Sequence, residues 1–125
     1  MSLLKTLGIA LLGLVIGGGA VYAWTSTRRS TTTFNTPYQA VLLDTGQIYY
    51  GKISGLGTDL PEMRDVFYVQ STTNPETKQV SNVLIRRGKE FHSPDHMVIN
   101  ARHIVIVEPV GEHSKIADLI AEQNK

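Results

Sequence analysis

Two imidazoles and a carboxylate fall close together in His92-Ser93-Pro94-Asp95-His96. Nitrogen and oxygen donors in that combination are what a zinc-type site uses, and His103 or His113 could complete a ligand set from elsewhere. The grammar is loose. His92 and His96 share a helical face only if the segment is helical, and Pro94 between them favours a turn. Structural zinc sites also usually draw on Cys, and the chain has none. A solvated turn is the plainer reading, so the expectation is no metal and no cofactor, with His92, Asp95 and His96 as the residues to watch. Other catalytic grammar is missing. There is no Cys nucleophile, no G-x-S-x-G elbow and no Gly-rich phosphate loop ending in Lys-Ser or Lys-Thr. Gly55-Leu56-Gly57 lacks the third Gly and the following helix of a dinucleotide fingerprint. Asp59, Glu62 and Asp65 cluster in sequence, but no pattern buries one of them for acid catalysis. The chain reads as non-enzymatic.

Arg86, Arg87 and Lys89 with Phe91 are the one basic cluster near an aromatic in the C-terminal part, the kind of pairing a single-stranded RNA reader uses. Lys and Arg total 12 against 11 Asp and Glu, a net charge of +1, which offers no field to gather nucleic acid. A solvated strand end is the plainer reading, and no nucleic-acid partner is expected. Tyr38, Tyr49, Tyr50, Phe67 and Tyr68 are more aromatics than a small β domain needs inside. Core packing is the plainer reading for most. If one face carried two or three of Tyr49, Tyr50, Phe67 and Tyr68, it would make a protein-docking surface of large contact area and low entropic cost.

These residues hang from Thr6–Trp24, an uncharged apolar run long enough to cross a bilayer core of roughly 30 Å. Two readings of it stand. Lys5 followed by an apolar stretch and Val21-Tyr22-Ala23 resembles a secretory signal with cleavage near Ala23. Against that, the run is longer than a signal core, Tyr22 and Trp24 sit where an interfacial aromatic belt would be, and Arg28 and Arg29 follow as anchors for lipid phosphate. The retained anchor is the favoured reading. Gly13 and Gly17 form a GxxxG pair, which lets helix backbones approach closely, so packing against itself or a larger membrane protein is expected. Charge at the two ends nearly balances. The signal-like opening tips the orientation toward an exported C-terminal domain.

Thr25–Pro37 reads as a flexible Ser/Thr-rich linker. Beyond it, Tyr38–Leu43 and Ile48–Ile53 flank Asp44-Thr45-Gly46-Gln47, a hairpin whose Gly suits a type I turn closed by a G1 bulge. Both faces of these strands are apolar, and Gly51 interrupts the second where a bent or closed sheet needs a residue without a side chain. Asp65–Gln70, Asn82–Arg87 and His103–Glu108 make three more strands, with Ser71–Ser81 as a polar loop and Met97–Ile99 as a short extended piece. From Ser114 the apolar spacing changes to three and four, predicting a capped C-terminal helix through Ile116, Leu119 and Ile120.

The run Tyr38–Ile53, YQAVLLDTGQIYYGKI, resembles an uncharacterised family of single-span bacterial membrane proteins in which such a segment opens a small β domain. The likeness continues through DVFYVQ, Arg87–Pro94, Met97–Asn100 and the helix from Ser114. It implies architecture and carries no activity. More distantly, the hairpin is similar to SH3-like, Sm-like and PRC-type small barrels, a likeness of fold alone.

The expected protein is therefore mainly β, with an N-terminal transmembrane helix over residues 1–24, a linker over 25–37, a five-stranded SH3-like barrel over 38–110, and a C-terminal helix over 111–125 packed on the barrel. The expected role is a non-catalytic accessory or scaffolding subunit of a larger membrane protein complex in the bacterial inner membrane. Its partners are that complex or a second copy through the span, and membrane lipid. The alternatives are a secreted or periplasmic binding domain after cleavage, and a metal-binding enzyme or sensor built on the His92 turn.

Overall fold

The computed structural model describes the backbone of residues 2–27 and 32–125, and the side chains of 2–22 and 32–125. The chain falls into two compact units divided between Ser30 and Thr31.

The first unit is one helix, α1 (Ser2–Thr27). Its segment Ser2–Tyr22, 21 residues long, is long and apolar enough to cross a membrane, and none of its residues is buried. At 1.5 Å per residue it spans about 32 Å, the thickness of a hydrocarbon core. Leu3, Leu7, Leu11 and Leu14 share one side, Ile9, Leu12 and Ile16 lie away from it, and the small residues Ala10, Gly13, Gly17 and Ala20 fill the remainder, so the helix has no polar face of the kind a soluble amphipathic helix carries. The helix runs beyond the expected end at residue 24. Arg28 and Arg29 lie outside the described residues, as does the side chain of Trp24.

The second unit is an antiparallel sheet with one helix. The strands are β1 (Gln39–Leu43), β2 (Ile48–Ser54), β3 (Glu62–Thr73), β4 (Val80–Arg86), β5 (His96–Val98) and β6 (Ile104–Pro109), followed by α2 (Lys115–Gln123). Their order is β4-β3-β2-β1-β6, with β5 on β3. The sheet has six strands, not five, and it does not close. The additional strand is the short piece at Met97, which pairs with Glu62–Arg64, a partner too distant in sequence for local pattern to reveal. It occupies the edge of β3 at one end while β4 occupies that edge at the other.

Local chemistry explains the connections. The β1–β2 turn places Gly46 at φ 85, with Gly46 N–H donating to Leu43 O, as a G1 bulge requires. The expected polar loop 71–81 is instead the end of a long β3–β4 hairpin, paired out to Thr73 and Val80. Its Thr and Val residues favour strand despite exposure, and Asn74 Oδ1 accepts from Glu76 N–H to tighten the turn. Gly51 faces a bulge in β3, where the register slips between Tyr50 and Lys52. A Cβ at Gly51 would stand 2.9 Å from Arg64 O and 3.0 Å from Met63 Cε, so only glycine admits this approach.

Alternation sorts the sheet into two faces. Val41, Met63, Val66 and Ile99 build a core on one, with Leu43, Tyr49, Ile53 and Val107 against it. Phe67 and Leu84 lie on the other and are covered by Ile120, Ile116 and Leu119 of α2. Ser114 caps that helix, its Oγ accepting from Ala117 N–H. Residues 32–37, expected as linker, belong to the folded unit. Phe34 is half-buried, and the buried Gln39 donates from Nε2 to Thr36 O at 2.6 Å while its Oε1 accepts from Ile53 N–H at 3.1 Å.

Candidate functional site

A cleft of about 290 Å³ opens between the β3 bulge and the loop after β4, lined by Asp65, Val66, Arg86, Arg87, Gly88, Pro94, Asp95, His96 and Met97. It joins two motifs that are separate in sequence, the basic cluster and the His turn. Asp65, in the left-handed region at φ 49, sits between Lys52 Nζ at 3.0 Å and Arg86 at 3.3 Å. The hydrogen bond from Lys52 holds the Asp65 carboxyl below the usual carboxylate range, and the Lys52 ammonium is raised in return. Asp95 Oδ1 lies 2.6 Å from His96 Nδ1, and that hydrogen bond lowers the Asp95 carboxyl too. Carboxylates held ionised in this way are poor proton donors and weak bases, and each cation in the cleft already has an anion beside it.

His92 takes no part in this cleft. Among the described residues no group of three or more His, Cys, Asp or Glu is placed to hold a metal ion. Asp95 and His96 line the cleft and His92 does not; Ser93, between them in the chain, is in the left-handed region at φ 43. His103 pairs instead with Asp44, Nδ1 to Oδ2 at 2.7 Å, tying the β1–β2 turn to the 3-10 turn at Ala101–His103.

The four aromatics expected as interface candidates divide between the two faces, two on each. Phe67 is fully buried, and Tyr50 packs with it on the α2 face. Tyr49 and Tyr68 form a cross-strand pair on the opposite face, ring centroids 6.3 Å apart and edge to face. Adjacent residues on a strand point to opposite faces, so Tyr49-Tyr50 and Phe67-Tyr68 could never share one.

What the sheet does expose is aliphatic. Leu42 pairs with Ile48 on one side and Ile106 on the other. The Tyr49–Tyr68 register, extended by one residue, brings Val69 beside Ile48. The row Val69, Ile48, Leu42, Ile106 thus crosses four strands on the face that α2 covers further along at Leu84 and Phe67. Val69 is 36%, Ile48 37% and Ile106 44% exposed, and Leu42 is half-buried. In the sequence Leu42 and Ile48 looked like core, whereas α2 packs on Phe67 and Leu84 and not on this row.

On α1, Gly13 and Gly17 lie one turn apart, and a Cβ at either would meet open space. Tyr22 is exposed at the end of the apolar segment. In comparisons with known proteins, no family model matches the chain and no curated protein matches its sequence.

Proposed function

We propose that this protein is a single-pass, membrane-anchored accessory or scaffolding subunit without catalytic activity, which docks on and stabilises a larger membrane protein complex. The observation that carries the reading is the contiguous, partly exposed aliphatic row Val69, Ile48, Leu42, Ile106 across four paired strands. Contiguous apolar surface on a small domain marks a contact site. The span is the second attachment, with Gly13 and Gly17 as its helix-packing face, Tyr22 and Trp24 at the membrane interface, and Arg28 and Arg29 meeting lipid phosphate. The support for an extracytoplasmic domain on a bacterial inner membrane is the signal-like opening of the sequence. The finer fold reading is a curled SH3-like half-barrel. Its support is β1 between β2 and β6, a β3 edge shared by β4 and β5, and bulges in the β2–β3 and β1–β6 pairings.

The test is a mild-detergent pull-down of the full-length chain from native membranes, with and without Leu42→Glu and Ile106→Glu. A stoichiometric partner retained by the wild type and lost by the double variant, with the circular dichroism of both unchanged, supports the reading. A wild-type chain that elutes alone sinks it.

A further inference from the structure

The loop between β4 and β5 carries a second feature, independent of the aliphatic row. Its one acidic side chain before Asp95 is turned inward. Glu90 Oε1 accepts from Arg87 Nε at 3.0 Å and Oε2 accepts from Gly88 N–H at 2.7 Å, while Glu90 O accepts from Ser93 N–H at 2.8 Å. Lys89, Phe91, His92, Ser93 and Asp95 are exposed; Ser93 and Asp95 have partners in Glu90 O and His96, which leaves Lys89, Phe91 and His92. None of the three makes a hydrogen bond, ion pair or ring contact. Phe91 is completely exposed, the most exposed large apolar side chain described. A phenyl ring held in water by a braced loop, flanked by a cation and an imidazole, is an unfavourable arrangement unless something receives the ring.

We infer that this loop is a membrane-interface wedge: Phe91 enters the headgroup boundary of an anionic bilayer while Lys89 meets lipid phosphate. The inference rests on the proposed membrane anchorage. Several observations favour lipid over a protein pocket. A protein interface needs roughly 800 Å² per partner, whereas this loop offers one ring surrounded by polar residues, Gly and Pro. A bilayer interface accepts a single aromatic without shape matching, and cations beside the ring add attraction to anionic lipid. Asp95 is the exposed carboxylate nearest in sequence, and His96 Nδ1 sits 2.6 Å from it.

The chain contains no Cys, so His92→Cys labelled with a polarity-sensitive fluorophore reports on the loop alone. The full-length protein is reconstituted in phosphatidylcholine vesicles with and without phosphatidylglycerol, and quenching by acrylamide is measured. Labels at Val15→Cys in the span and Glu76→Cys in the β3–β4 turn are the references. The expected result is a position-92 label shielded in phosphatidylglycerol vesicles while position 76 stays open. Phe91→Ser then lowers the docked-to-free ratio about tenfold, and Lys89→Glu lowers it about fivefold or more. All substituted loop positions are exposed, so folding is not at stake. Labels at 92 and 76 that quench alike, with position 15 shielded, overturn the wedge and leave the anchor standing; a loop reserved for a protein partner gives that result. A position-15 label open to acrylamide overturns the anchored reading and the wedge with it.

Discussion

Gln39→Leu tests whether the domain begins where its hydrogen bonds say it does. Gln39 is the one buried polar side chain among the described residues, 4% exposed, at the first position of β1. Gly51 is the last residue of β2 with a β1 partner, and Ile53 lies beyond it with its N–H still aimed to that side. Gln39 Oε1 satisfies this donor in place of a missing strand, and Nε2 holds Thr36 O on the incoming chain. Leucine keeps the volume but leaves one donor and one acceptor unpaired. Each unpaired buried group costs about 1–3 kcal/mol. Both groups here are only partly buried, and the leucine gains some apolar burial, so a net loss of about 1–2 kcal/mol is expected. For a domain of this size, about 4–8 °C of Tm accompanies each kcal/mol. Thermal unfolding of the full-length protein in detergent micelles, followed by the near-ultraviolet tyrosine signal, should therefore show a fall of roughly 5–15 °C. Gln47→Leu is the control, since its side chain bonds only at an exposed turn. Gln39→Glu sharpens the test. An ionised carboxylate cannot donate to Thr36 O and resists burial, so its pKa rises, and stability lost at neutral pH should return as acid protonates the group. A Gln39→Leu Tm within about 2 °C of wild type would refute the reasoning.

Gly51→Ala forces a methyl against the Arg64 carbonyl and should destabilise by about 1–3 kcal/mol, while Gly111→Ala, in open space, should be neutral in the same melt. The Glu90 carboxyl is held at about 2 against an ordinary 4.5, chiefly by the Gly88 N–H. Its clasp is complete above the ordinary value and is lost as pH falls through about 2. A carbon-13 NMR titration with a midpoint near 4.5 would exclude the clasp. Ile120→Ala removes the helix side chain buried on Phe67 and Leu84 and should cost about 2–5 kcal/mol; intact stability would show that α2 is dispensable to the core. Gly13→Leu with Gly17→Leu should abolish span-dependent co-purification, and unchanged recovery of partners counts against helix packing there.

Elements whose signal is local were readable from the chain alone. The membrane-length run needs only composition, the β1–β2 turn only Gly46 in its place, and α2 only a capping Ser114 before three-and-four spacing. Gly51 was legible as a bend, because a strand glycine signals close approach whatever approaches it. What required the tertiary structure depends on pairing between distant residues. The sixth strand exists because Glu62–Arg64 lies beside it. The long hairpin holds because Thr73 meets Val80, and the linker's end becomes folded because Gln39 reaches both Thr36 and Ile53. The same holds for the sites. His92, Asp95 and His96 are neighbours in sequence, yet only Asp95 and His96 pair and line the cleft. Tyr49, Tyr50, Phe67 and Tyr68 divide between two faces because strand side chains alternate. The aliphatic row is visible only once register aligns it and the extent of α2 leaves it uncovered. Sequence determines where the chain turns and caps and which run is long and apolar enough to cross a membrane; which surfaces remain uncovered depends on the fold, and burial is a property of residues far apart in the chain.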